Sequence, residues 1–472
     1  MVPERTVFCL GIGGIGVSAI AQWLRACGAT VTGADREQSP MTEALERVGI
    51  PVQIPEPAVL PSACDLVVYS DAVPETHPLR REAAVRKIRT RSYADLLGEL
   101  TQGHRTVAVA GSHGKSTTTA LLGLLLEALG ADPTVVVGSR VPQWEQATGD
   151  RRQAVGNFRL GQSDLAVVEA DEYRGHFLSL APTALVITSL DHDHVDAFPT
   201  AEEYEAAFVQ LLDRVRPHGT VVLCLADPRL VPFRSRVRAD VTVRAYVLSD
   251  DPHAADVVVS HPAARAGRQE FSLWVQGQAW GPQALSVPGD HVVLNAAGAI
   301  AAAIPFGLTP EAVSRGLSSF RGIWRRFEAV GTLEGAPLIS DYAHHPTELR
   351  ALAAAARQWY RDRRLVIAFQ PHQHARSRAF APAFIEALTL FDAVILADVY
   401  GVAGREESAP VSSRDWVLAL KDRGGAAVYA PSLDEVARAI RNTVRAHDVV
   451  FIVGAGDIDL VARRLASLVT LQ

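Results

Sequence analysis

Val109-Ala110-Gly111-Ser112-His113-Gly114-Lys115-Ser116-Thr117-Thr118-Thr119-Ala120-Leu121 carries a β-rich run, Thr106–Ala110, through a glycine-rich turn into a helix. Backbone N–H groups of such a turn point at phosphate oxygens, and the helix N-terminus behind it adds about half a positive charge. Lys115 supplies the only full positive charge of the loop, and the Ser116 hydroxyl can reach Mg²⁺. Gly111, Ser112, His113, Gly114, Lys115, Ser116 and Thr117 are therefore the expected contacts of a nucleoside triphosphate, ATP. The general phosphate loop, G-x-x-x-x-G-K-[ST], wants glycine where Val109 stands, so this turn is a shorter variant.

Working outward, the chain of 472 residues has room for two to four domains, and 48% hydrophobic with 21% charged residues excludes disorder. A net charge of −6 gives no general affinity for nucleic acid or an anionic membrane, so anionic substrates must be met by local donors. The only lysines are Lys87, Lys115 and Lys421. Cys9, Cys27, Cys64 and Cys224 lie far apart without a C-x-x-C, as expected of thiols in a reducing cytosol. No basic and apolar leader and no run of about 18 apolar residues is present, so a cytoplasmic location is expected. A monomer or homodimer is expected.

Three α/β segments follow. The first holds strand Val7–Leu10, the loop Gly11–Gly16, a helix to Ala26, strand Thr30–Thr32, Asp35 and strand Leu66–Ser70. Gln102-Gly103-His104 looks like a linker. The second opens with the phosphate loop and continues through strands Leu165–Glu169, Leu185–Thr188 and Val221–Leu225. Its stretch Val241–Trp280 alternates more, which suggests an antiparallel addition with a hairpin at Gln276-Gly277-Gln278; a helix follows over Leu294–Ile304. The third starts near Ile323, with strands Leu365–Phe369, Ala393–Ala397, Ala427–Tyr429 and Val449–Val453 and a helix over Thr347–Trp359. The expected architecture is three domains: 1–102 Rossmann-like, 103–322 of P-loop ATPase type and 323–472 Rossmann-like.

Gly11-x-Gly13-x-x-Gly16 with Asp35 matches a dinucleotide fingerprint, which alone reads as an NAD-dependent oxidoreductase. Beside a separate ATP loop it fits a nucleotide-linked substrate better. Glu169-Ala170-Asp171-Glu172 ends an apolar strand, where carboxylates can hold Mg²⁺ beside a triphosphate. Asp191–Asp196 packs two histidines and three aspartates into six residues. That composition suits zinc, but the nearby phosphate loop favours a Mg²⁺ and phosphate site.

The phosphate loop resembles the G-[ST]-H-G-K-[ST]-T of the Mur ligase family, which joins amino acids to the peptidoglycan precursor with ATP. Seven further motifs resemble that family. They are the first glycine loop, Glu169–Glu172 with the Asp/His run, Gly289-Asp290-His291-Val292-Val293-Leu294-Asn295, and Arg325-Arg326-Phe327. Then come Asp341-Tyr342-Ala343-His344-His345-Pro346-Thr347-Glu348 and Phe369–Arg376, with Gly454-Ala455-Gly456-Asp457-Ile458 near the end. The resemblance implies that Gly11, Gly13, Gly14, Ile15, Gly16, Asp35 and Ser70 hold the UDP part of the substrate. It places Mg²⁺ on Ser116, Glu169 and His194, the adenine by His291 and Asn295, and the ribose by Asp341. Arg326 would clamp the γ-phosphate. Tyr342, His344, His345, His372 and Arg376 would face the other substrates, with Lys115, His194, Arg326 and His344 as catalytic groups.

Two positions depart from the pattern: Val292 replaces an asparagine and Gln373 an arginine. No lysine lies between Glu172 and Leu420, so a carbamylated lysine is not available there. The implied reaction joins L-alanine to the lactyl carboxylate of UDP-N-acetylmuramate through an acyl phosphate. A ligase that adds a whole tripeptide shares these motifs. A catalytically silent protein with a ligase fold is the third reading, against which Lys115 and Glu169 count.

Overall fold

The computed structural model describes residues 5–145, 155–402 and 410–467, which build three sheets. The first is parallel and five-stranded, in the order Val52–Gln53, Thr30–Ala34, Thr6–Leu10, Leu66–Tyr69, Arg89–Ser92. Its central strands read as unbroken apolar runs because both faces are covered. Val7, Cys9, Leu66 and Val68 point into one core, and Phe8, Leu10 and Val67 into another.

The second sheet has ten strands. Its middle is parallel, with Arg105–Ala110 between Ala184–Ile187 on one side and Leu165–Glu169 on the other. This register sets Ala110 beside Ile187 and Val109 beside Glu169. Three C-terminal strand ends therefore open at one place, which brings the phosphate loop, Glu169–Glu172 and Ser189–Asp196 together. The helix Lys115–Leu129 starts behind Gly114 and stops at Gly130, both left-handed. Leu121, Leu122 and Leu125 on it are fully buried, each adding about 2 kcal/mol of hydrophobic stabilisation.

The expected antiparallel addition begins later than the alternation suggested. Thr242–Leu248 pairs parallel to Thr220–Cys224, and Val257–Arg265 pairs parallel to Thr242–Leu248. Only Arg268–Val275 and Gln278–Leu285 turn antiparallel, around Gln276-Gly277. The 3₁₀ segment Pro228–Arg236 follows Thr220–Cys224 and lets the chain return to a parallel partner. The helix expected from Leu294 starts at Asp290.

The third sheet runs Glu328–Leu333, Ala336–Asp341, Asp448–Val453, Arg364–Phe369, Ala393–Leu396, Ala427–Tyr429. It is parallel except for the first hairpin, which no sequence signal announced. Asp341 and Phe369 both register with Val453, so the segments that follow these strands share one edge. Among the described residues no helix is long and apolar enough to cross a membrane.

Candidate active site

The phosphate loop needs glycine at two positions. Gly111 has φ +126°, and a Cβ there would sit 2.2 Å from Thr188 Oγ1; Gly114 has φ +80°, and its Cβ would meet Asn295 Oδ1 at 2.3 Å. The loop is moored to the next strand end: Ser112 N–H donates to Ser189 O and His113 N–H to Ser189 Oγ. Lys115 Nζ folds back over it, donating to Gly111 O at 2.6 Å and lying 2.8 Å from Glu172. Burial works against the Lys115 charge, but Glu172, Asp171 and Glu169 outweigh it and hold its pKa above the ordinary lysine value.

The carboxylates divide into two groups. Glu169 accepts from Ser116 Oγ at 3.0 Å and from Gly138 N–H at 2.6 Å. Burial raises its pKa despite Lys115. Glu172, nearly inaccessible, accepts from Tyr204 Oη at 3.1 Å and lies 3.5 Å from His194 Nε2. Tyr204 Oη also meets Ser112 Oγ at 2.8 Å, so one hydroxyl joins the loop to this carboxylate. Asp171, Glu172 and His194 present ligand atoms within 4.8 Å of one another; Glu169 stands outside that set.

The third segment supplies the opposite wall. A cavity of about 350 Å³ has His113, Gly114, Ser116 and Thr117 on one side and Arg326, Asp341 and Glu348 on the other. Tyr246, His291, Val292, Asn295 and Phe320 line it as well. Arg326 lies over the Tyr342 ring at 5.2 Å and 3.4 Å from Glu348. Its neighbour Arg325 is buried and donates to the carbonyls of Gly454 and Gly456. Asp341 accepts the N–H groups of Phe327 and Ala343. Burial pushes His344 down to about 4, and burial with Arg326 nearby does the same to His291, so both rings are neutral near pH 7.

His113 behaves in the opposite way. Its ring lies 3.0 Å from Asp191 and 3.4 Å from Glu348. Burial lowers its pKa, but these two carboxylates prevail and raise it to about 9. The expectation that Lys115 is the loop's only full positive charge is therefore corrected: His113 is a second, made so by groups distant in sequence.

Three family models cover the chain in order: "Mur ligase family, catalytic domain" over 6–105, "Mur ligase middle domain" over 109–303, and "Mur ligase, glutamate ligase domain" over 325–456. A UDP-N-acetylmuramate–L-alanine ligase of Salinibacter ruber is 37% identical over 96% of this chain and 93% of its own length. The protein of that name from Kineococcus radiotolerans is 38% identical over 98% and 96%. The chain belongs to the Mur ligase family. The solved UDP-N-acetylmuramate–alanine ligase of Thermotoga maritima matches this Mur ligase with a TM-score of 0.81 and 26% identity over 99% of each chain. A murein peptide ligase of Psychrobacter arcticus shares the fold, at a TM-score of 0.71 and 24% identity over 98% of each chain.

In this Mur ligase the first glycine loop is built differently from the phosphate loop. Gly13 N–H donates to Asp35 at 2.7 Å, and Gly11, at φ +71°, packs against Ser70. Gly14 precedes the helix, Gly16 packs on the Tyr93 ring, and the Ile15 carbonyl accepts from Asn157 of the second segment. His345 caps the helix Pro346–Trp359, and its ring lies tilted against that of His113 at 5.1 Å, behind the cavity lining. His372 stacks on Tyr400, and Arg376, almost fully buried, donates to Asp193 at 2.7 Å. Its charge is thus matched from within the protein. Sequence reasoning did not single out Glu172, Tyr204 and Glu348, which the structure places against the loop and the cavity. Glu348 stood inside a quoted motif and Glu172 inside another; Tyr204, on the helix Ala201–Asp213, had no local signal.

Proposed function

We propose that this Mur ligase uses ATP to join L-alanine to the lactyl carboxylate of UDP-N-acetylmuramate, releasing ADP and phosphate. The observation that carries the reading is the cavity walled by the phosphate loop and, opposite it, by Arg326, Asp341 and Glu348. It is consistent with a triphosphate whose terminal group faces the third segment. The names of the relatives supply the substrates. In this reading residues 1–102 hold the UDP part, 103–322 the ATP and 323–472 the amino acid, in the cytoplasm.

A carboxylate attacking a triphosphate crowds negative charge. Lys115 on the β- and γ-phosphates and Arg326 on the γ-phosphate offset it. Mg²⁺ fits the donors present. Ser116 with Glu169 forms one oxygen pair; Asp171, Glu172 and His194 form a second set, in which His194 Nδ1 is buried without a partner. When bound there, the metal supplies further neutralisation of the phosphate charge. His344 Nδ1 faces the Tyr342 carbonyl at 3.0 Å, which favours the tautomer with its proton on Nδ1 and leaves the Nε2 lone pair to accept a hydrogen bond from the attacking amine and orient it.

The test is phosphate release with ATP, Mg²⁺, UDP-N-acetylmuramate and each amino acid in turn. L-Alanine should give the fastest release, with L-serine and glycine weaker. Release with L-Ala-γ-D-Glu-meso-diaminopimelate but not with L-alanine would replace this reading by the tripeptide ligase.

A further inference from the structure

Glu348 touches groups on both sides of the cavity, as Asp191 does through His113 and Thr347, but Glu348 alone of the two also meets Arg326. Its Oε1 lies 3.4 Å from His113 Nδ1 in the phosphate loop and 3.4 Å from Arg326 Nη1. Its Oε2 accepts the His344 N–H at 2.9 Å. His113 and Arg326 sit more than 200 residues apart in sequence yet share one oxygen. An acidic group beside a triphosphate would repel it, unless it is fully matched by cations that then face the phosphate with a net positive charge. Glu348 meets two such cations, His113 and Arg326; Asp191 shares His113 and is itself paired with Arg229.

We propose that Glu348 is the positioning residue that aims Arg326 at the γ-phosphate and ties that arginine to the phosphate loop through His113. The inference rests on the proposed role of Arg326. Burial works against the Glu348 charge, but the neighbouring His344, His113 and Arg326 outweigh it and hold the carboxyl well below the usual carboxylate range. A plain structural role competes with this one. Glu348 occupies the first turn of the helix Pro346–Trp359, where an acid caps free N–H groups. Glutamine caps in the same way but carries no charge, so substitution separates the two roles.

The test compares, by calorimetry on the full chain with Mg²⁺, the affinities for the non-hydrolysable analogue AMP-PNP and for ADP, which lacks the γ-phosphate. Glu348→Gln should lower the preference for AMP-PNP over ADP about ten-fold, the worth of one charge-assisted contact. It should change nothing further in an Arg326→Ala background, and Glu348→Asp should fall between. Equal weakening of both nucleotides, or an added loss in the Arg326→Ala background, overturns the proposal. If Arg326→Ala itself leaves the preference intact, the γ-phosphate role of Arg326 fails and this inference with it. If Arg326→Ala abolishes the preference and Glu348→Gln does not, Glu348 alone is refuted. Should Glu348→Gln lose its native melting transition, Glu348→Asp decides: a wild-type preference there refutes the role.

Discussion

Gly11–Gly16 and Gly111–Ser116 are both glycine-rich turns from a parallel strand into a helix, yet they are furnished in opposite ways. The first contains no cation, and its Gly13 amide is already committed to Asp35. The second contains Lys115 and a charged His113, held by Glu172, Asp191 and Glu348. A turn that meets a diphosphate buried in a nucleotide sugar can rely on backbone and close approach. A turn that must stabilise charge as it develops needs full cations, and buried cations need carboxylates to keep them charged before the ligand arrives.

The sharpest way to break this comparison is at Lys115. Lys115→Ala should reduce phosphate release by a few hundred-fold, or on the order of 3–4 kcal/mol, while stabilisation by UDP-N-acetylmuramate in a thermal melt persists. The variant should also melt lower, because Glu172 loses its main partner inside the protein. Adding Glu172→Gln should recover the melting temperature without restoring turnover. An unchanged release rate for Lys115→Ala would remove this loop from catalysis.

Gly13→Ala probes the other loop. A Cβ would come within 2.8 Å of Asp35 Oδ2 and 3.1 Å of Thr42 Cγ2, so Asp35 must move. Losing a hydrogen bond to a charged group costs about 1.5–3 kcal/mol, which predicts a KM for UDP-N-acetylmuramate roughly ten- to a hundred-fold higher with ADP affinity unchanged. Stabilisation of the wild type by NAD equal to that by UDP-N-acetylmuramate would overturn the assignment of this loop.

pH separates the loops next. His113 rises to about 9 in the folded protein, so its contribution is complete below the unfolded value near 6.5 and is lost as pH climbs toward 9. His291 and His344, lowered to about 4, act on the other side: they destabilise as pH falls from 6.5 toward 4. Melting temperature should therefore peak near pH 6.5. His113→Asn should flatten the alkaline limb, which is worth about 2 kcal/mol by pH 8. An alkaline limb unchanged by the substitution would show that His113 is not charged in the loop, since the likewise raised His194 accounts only for what remains.

The smallest effect lies beyond both loops. Arg376 is matched by Asp193, and the buried Gln373 Nε2 has no partner. The amino-acid carboxylate would then meet a neutral donor where an arginine is usual. Gln373→Arg should lower the KM for L-alanine about ten-fold, and an unchanged KM would place the amino acid elsewhere.

The glycine loops, the strands that feed them and most of the helices were legible because each depends on its own few residues. A left-handed φ asks for glycine, an apolar run for a strand covered on both faces, a Ser or Thr before a helix for a cap. The edge hairpin Glu328–Asp341 was not legible, since its register depends on packing beside Asp448–Val453. The carboxylates were legible as carboxylates, but their division was not: Glu169 and Glu172 differ by three positions and serve different partners, Ser116 in one case and Lys115, Tyr204 and His194 in the other.

The amino-acid sequence by itself determined where the glycine-rich turns enter their helices and which residue types furnish them, because turn geometry and helix polarity are local. Only the tertiary structure decided the charge state of His113, the pairing of Arg376 with Asp193 and the place of Glu348 across the cavity. Those depend on burial and on distances of 2.7–3.4 Å between groups from different segments, and electrostatic effects follow distance in space and not position in the chain.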